Sequence, residues 1–191
     1  MNQDIEKLVY EWMFTDSSKV DIDSRYYCST RDVFQARLNM MIVYLLKNYE
    51  IKEENIYMVS AIAGEIGNNS FDHNLGNWKD IIGIFFAYEV IDNKLKICLA
   101  DRGQGVLNTL KRVKPELKND LDALQTAFTE KISGRAPENR GNGLKFVRNN
   151  AKDFGVVVDF YSGNAVAKLN SKMIIKKIDR YFQGCLTIIK F

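Results

Sequence analysis

The chain has 191 residues, 46% of them hydrophobic and 27% charged, a composition that suits one globular domain with a single sizeable core. This excludes disordered, collagen-like and disulfide-scaffold classes. Lys and Arg number 27 against 24 Asp and Glu, for a net charge of +3, and the basic residues are dispersed along the chain, which argues against nucleic acid as the partner. Apolar runs such as Ile81 to Val90 fall short of the roughly 20 residues that span a bilayer. The opening Met1-Asn2-Gln3-Asp4 lacks the basic start and apolar stretch of a secretory signal. The expectation is a cytoplasmic protein with no membrane segment. Cys28, Cys98 and Cys185 are scattered without CxxC spacing, and Cys98 and Cys185, inside apolar strand-like runs, read as small hydrophobes.

The role of residues 1–30 is left open, although Trp12, Phe14, Tyr26 and Tyr27 imply that the segment packs on something. From Arg31 to Lys47, Phe34, Leu38, Met41, Ile42 and Leu45 recur at helical spacing, with Ser29 or Thr30 as N-cap. A second helix is predicted from about Glu54 to Ser70 on the stripe Val59, Ile62, Ala63 and Ile66. The period then changes: Ile81 to Val90 and Leu95 to Ala100 read as strands joined by an Asp92-Asn93 turn. Val106 to Arg140 holds both prolines, Pro115 and Pro137, and reads as a mobile insert. Gly143 to Asp153 reads as a helix closed by Gly155. Strands are expected at Val156 to Tyr161, Met173 to Ile178 and Cys185 to Phe191. A weaker one, Ala165 to Leu169, would pair across a Ser162-Gly163-Asn164 hairpin turn. This order predicts an α+β two-layer sandwich, not a βαβ repeat.

Three boxes carry candidate chemistry. Glu65 and Asn69 stand at i and i+4 and share a helix face. The carboxamide oxygen suits a hard cation such as Mg²⁺, and the carboxylate can polarise a water for attack on a γ-phosphate. Asp101-Arg102-Gly103-Gln104-Gly105 follows a strand; its aspartate can accept a bond from an exocyclic amine such as that of adenine, and its glycines let backbone approach a planar ring. Gly141-Asn142-Gly143 precedes a helix, whose free N–H groups form a phosphate site. Each box has a plain structural alternative: a polar helix face, a strand-to-helix turn, a glycine-rich helix start. Neither a P-loop nor a complete GxGxxG is present.

Taken together, the order and placement of the boxes resemble the GHKL superfamily of ATPases, which includes gyrase-type topoisomerases, ninety-kilodalton heat-shock chaperones, histidine kinases and mismatch-repair MutL proteins. The likeness runs over residues 31–191. Glu65 and Asn69 fit its N box, Asp101, Gly103 and Gly105 its first glycine box, and Gly141 and Gly143 its second. Thr187 is the candidate for a late-strand threonine, though the usual Gly-Thr adjacency is missing. The resemblance implies a Bergerat fold: a mixed sheet backed by helices, with ATP under a lid at about 106–140. Lys111, Arg112, Lys114, Lys118, Lys131 and Arg135 of the lid, with Arg140 and Lys145 nearby, are candidates to meet phosphate. Asn69 would hold Mg²⁺ and Glu65 would act as general base. The spacing Glu65, Asn69, His73 looks most like the stand-alone anti-sigma-factor kinases and related single-domain bacterial ATPases.

Two functions follow from that likeness. In one the chain hydrolyses ATP or transfers its γ-phosphate to a regulatory partner protein. In the other it is a nucleotide-gated binding module with little turnover. A homodimer is open in either case.

Overall fold

Asp4 caps the first helix by accepting the Glu6 N–H at 3.0 Å, so α1 runs Ile5–Phe14 and buries Ile5, Val9, Trp12 and Met13. The computed structural model describes residues 4–131 and 143–191. After α1, a two-residue strand β1 (Tyr27–Cys28) leads into α2 (Arg31–Asn48), capped by Thr30. The 22-residue α3 (Glu53–Asn74) follows. Strands β2 (Ile84–Ile91) and β3 (Lys94–Asp101) form a hairpin. Its turn residues Asp92 and Asn93 have φ of 50° and 59°, the left-handed pair that a two-residue connection requires. Helices α4 (Gly105–Lys111), α5 (Asp120–Thr129) and α6 (Gly143–Asp153) come next, then the long strands β4 (Val157–Leu169) and β5 (Met173–Lys190).

The five strands lie in the order β1-β2-β3-β5-β4, and every pairing is antiparallel. The sheet is therefore antiparallel rather than mixed. Each neighbour in the order runs opposite to the last, including the non-consecutive pair β3 and β5. The architecture is α+β, consistent with a two-layer sandwich. On one face α2, α3, α5 and α6 pack against residues such as Phe86, Ile97, Leu99, Val158, Phe160 and Ile189. On the other face α1 places Ile5, Val9, Trp12 and Met13 against Phe85, Ala87, Cys98, Ala100, Phe182, Leu186 and Ile188. Burial of each large aliphatic or phenylalanine side chain among these contributes about 1.5–3 kcal/mol. Coverage on both faces explains why β3 reads as a continuous apolar run: Ile97 and Leu99 face one layer, Cys98 and Ala100 the other.

Three local expectations change. The segment Ser162-Gly163-Asn164 is not a hairpin turn; β4 passes through it with shifts of register, and the turn lies at 170–172. Gly163, at φ 58°, absorbs the irregularity, and Asp120 at the start of α5 accepts the Asn164 N–H at 2.9 Å. The two strands expected from Met173 to Ile178 and Cys185 to Phe191 are one strand, because the polar stretch between them belongs to a ribbon that extends past β3, which pairs only with Cys185 to Lys190. Finally, the stretch read as a mobile insert is packed as far as Thr129. Leu124 and Phe128 are 0% exposed, and Phe128 meets Phe160 edge-on at 5.4 Å. No helix among the described residues is long and apolar enough to cross a membrane.

Candidate functional site

The C-terminal half of α3 collects the boxes. Ser70 and Asn74 are spaced i, i+4 and face the end of β3, where Asp101 is 2% exposed. Ser70 Oγ donates to Asp101 Oδ2 at 2.8 Å, Asn74 Nδ2 donates to Oδ1 at 3.1 Å, and the Gly103 N–H donates to Oδ1 at 2.9 Å. Burial pushes the Asp101 carboxyl above the ordinary carboxylate range, against the pull of these donors and of the Cys185 backbone. The site thus holds a carboxylate whose charge is disfavoured by its surroundings and supported by its hydrogen bonds.

Asn74 is the hinge of this network. Its Oδ1 accepts the Gln104 N–H at 3.0 Å while its Nδ2 serves Asp101. A Cβ at Gly103 would overlap the Asn74 carboxamide, so this glycine is required by a neighbouring side chain whether or not a ring lies nearby. Gly105 has φ of 76°, which lets the chain turn sharply out of β3 and into α4. There Ser162 Oγ accepts the Val106 N–H at 3.0 Å and donates to the Gly184 carbonyl at 2.9 Å. Gln104 Nε2 donates to the His73 carbonyl at 2.6 Å, and Arg112 donates to Gln104 Oε1 at 3.1 Å. The turn after β3 is therefore fastened to α3, α4 and β4 together.

One turn and more toward the start of α3, Asn69 Nδ2 donates to Glu65 Oε1 at 3.2 Å, the shared face that the spacing predicts. Gly143, the first residue of α6, stands directly against this pair: a Cβ on it would overlap the Glu65 carboxylate and come within 3.1 Å of Asn69 Nδ2. The positive end of the α6 dipole thus meets a carboxylate. Three boxes distant in sequence meet along one helix, with Glu65 and Asn74 about 13 Å apart on its axis at 1.5 Å per residue.

The remaining candidates separate. Thr187 lies in β5 opposite Leu99 and Phe160, 1% exposed; the register partner of Asp101 is Cys185. Its Oγ1 has no hydrogen-bond partner among the described residues. Lys114 pairs with Glu130 at 2.5 Å, while Lys111, Lys118 and Lys131 are exposed. Arg135, Arg140, Gly141 and Asn142 lie outside the described residues. Among the described residues no group of three or more His, Cys, Asp or Glu could hold a metal ion.

Sequence reasoning missed Ser70, Asn74, Ser162 and Arg102. The first two were legible as a second i, i+4 pair just beyond Asn69. Arg102 was not: it donates from Nη1 to the Trp12 and Thr15 carbonyls at 3.1 and 2.7 Å, and from Nη2 to Asp80. It binds the C-terminal end of α1 to the turn after β3, a contact no local pattern encodes. The fold and site define an α+β domain whose antiparallel sheet ends in a buried, hydrogen-bonded aspartate beside a polar helix face. No protein-family model matches the chain, and a search of characterised proteins finds no significant relative.

Proposed function

We propose that this chain is a GHKL-like domain with a Bergerat-type fold that binds Mg-ATP, and that it hydrolyses the nucleotide or passes its γ-phosphate to a regulatory partner protein. The observation that carries the reading is the convergence of the boxes on α3: Asp101 at Ser70 and Asn74, and Gly143 at Glu65 and Asn69. An adenine end and a phosphate end spaced along one helix is the layout such a ligand needs. Asp101 would accept from the adenine amine, and the opening turn of α6 would offer N–H groups to phosphate. Glu65 would orient and deprotonate the attacking water or hydroxyl.

The donor chemistry suits Mg²⁺. With its nitrogen committed to Glu65, Asn69 has a carboxamide oxygen to offer a cation, and Mg²⁺ takes few protein ligands because waters and phosphates complete its shell. When bound, the ion would neutralise phosphate charge.

One feature supports the alternative reading, a nucleotide-gated module with little turnover. Asp101 is 2% exposed and already accepts three internal bonds, and Gly143 abuts Glu65, so nucleotide entry requires α6 and the turn after β3 to shift. Titration calorimetry with ATP, with and without Mg²⁺, tests the common core of both readings. Binding should depend on Mg²⁺, weaken at least tenfold in Asp101→Ala, and lose its Mg²⁺ dependence in Asn69→Ala. No heat of binding at millimolar ATP would refute the proposal. Incubation with γ-labelled ATP and cell extract then separates the branches: free phosphate marks an ATPase, a labelled second protein a kinase, and neither a gate. Glu65→Ala should bind ATP and lose whichever transfer is seen.

A further inference from the structure

The buried stripe of α2 is Phe34, Leu38, Met41 and Leu45. On the opposite side of the same helix stand Asp32, Ala36, Asn39, Met40, Val43, Leu46 and Lys47, all exposed. At 100° per residue these fall within one outward sector. Its centre is apolar: Met40 is 68% exposed, Val43 64% and Leu46 39%. A surface helix ordinarily turns charged and polar groups to solvent, and in this sector only Asn39 and the residues at the two ends are polar.

Those ends carry opposite charges, Asp32 in the first turn and Lys47 in the last. Each suits the dipole of its own helix, but that does not account for the methionine, valine and leucine between them. Leu46 apart, the stripe is self-complementary about its middle. Laid antiparallel on a copy of itself, with a two-fold axis beside Met40, α2 sets Asp32 against Lys47, Ala36 against Val43 and Asn39 against Met40, each pair occurring twice. Small faces large at the Ala36–Val43 pairs, so the helices can approach closely, and the dipoles oppose favourably. A parallel arrangement would stack Asp32 on Asp32 and Lys47 on Lys47. An isologous contact of this kind closes as a dimer and leaves no open end.

We propose that the outward face of α2 is a self-association surface, and that two copies of this chain pair through it, antiparallel, about an axis at Met40. The occupant is a second copy because the charge register matches the helix to itself and only in one direction. A single helix crossing, with Tyr44 at 45% exposure on its flank, lies at the small end of specific interfaces, so the dimer is a reversible one. This surface is separate from the Asp101 and Glu65 site, and the inference stands without the nucleotide reading.

Sedimentation velocity of the full chain across two decades of concentration tests it. The wild type should move from one to two chains as concentration rises. Val43→Glu should remain a single chain throughout, with an unchanged melting temperature, because the position is exposed in the monomer. Lys47→Asp should weaken the dimer at least fivefold at low salt, and Asp32→Lys combined with Lys47→Asp should restore it, since the exchange preserves the pairing across the axis. A wild type that stays one chain at the highest concentration overturns the proposal, as does a dimer that Val43→Glu leaves intact. Failure of the double exchange to recover affinity overturns the antiparallel register.

Discussion

Replacing Gly103 with alanine should be strongly destabilising in the wild type and nearly harmless once Asn74 has been shortened. In the native chain the new methyl would overlap the Asn74 carboxamide, which is 3% exposed and hydrogen-bonded at both ends. Either the backbone shifts or Asn74 leaves its place. Overpacking of this sort costs about 1–3 kcal/mol, and displacement of Asn74 adds the loss of its bonds to Asp101 and to the Gln104 N–H. Asn74→Ala alone removes a donor to a buried carboxylate and orphans a buried N–H, for about 3 kcal/mol in all. In that background the vacated space accepts the Gly103→Ala methyl. Gly103 does not sit at positive φ, so alanine is conformationally tolerated and even trims unfolded-state entropy. The second substitution should then cost less than about 1 kcal/mol, which leaves a coupling of about 2–3 kcal/mol between the two sites. Urea unfolding of the four proteins, followed by the fluorescence of Trp12 and Trp78, measures it. Additivity within about 0.5 kcal/mol would refute the claim that Gly103 is glycine because of Asn74.

Other outcomes follow from the same contacts. Asp101 titrates above its ordinary value when folded, so its contribution to stability is complete below the unfolded value and is lost as pH rises through the folded one. Ser70→Ala removes a donor that favours the charged form, so the Ser70→Ala penalty should grow as pH rises from the ordinary carboxylate range through the folded value of Asp101; a penalty that stays flat or shrinks as pH rises would contradict it. Arg102→Lys should loosen α1, because a lysine cannot reach the Trp12 and Thr15 carbonyls and Asp80 together. Limited proteolysis should cut the first fifteen residues faster, and an unchanged rate would show that α1 is held by its apolar face alone. Cys28 and Cys98 are 0% exposed, and burial pushes the Cys28 thiol up to about 11 and that of Cys98 higher still. Both should resist Ellman's reagent at pH 8 until urea unfolds the chain, and native-state labelling of either would place it nearer the surface.

The local elements were legible where periodicity is strong. The stripe Phe34, Leu38, Met41 and Leu45 marks α2, and Asp92-Asn93 between two β-rich runs marks the β2–β3 hairpin. The first helix is equally readable, since Asp4 stands before Ile5, Val9, Trp12 and Met13 at helical spacing. Ser162-Gly163-Asn164 misled because a glycine between small polar residues suits a hairpin turn and a bulge alike, and only the Asp120 contact and the register with β5 decide which forms. The segment between the two expected strands misled for a related reason: Asp179, Arg180 and Tyr181 are exposed in a row before the buried Phe182, so it lacks the alternation by which a half-buried strand is recognised.

For the site, the residues themselves set the i, i+4 pairing of Glu65 with Asn69 and the place of Asp101 at a strand end, because both depend only on backbone repeat. What surrounds them was decided by the tertiary structure. Ser70 and Asn74 lie 31 and 27 residues from Asp101, and their hold on it exists because packing of α3 against β3 turns that face of the helix toward the carboxylate. The same packing brings Gly143 onto Glu65 and makes Gly103 answer to Asn74. Short-range periodicity carries the identity of each element; the hydrogen-bond partners of a buried charge arise only when elements distant in the chain share one desolvated space.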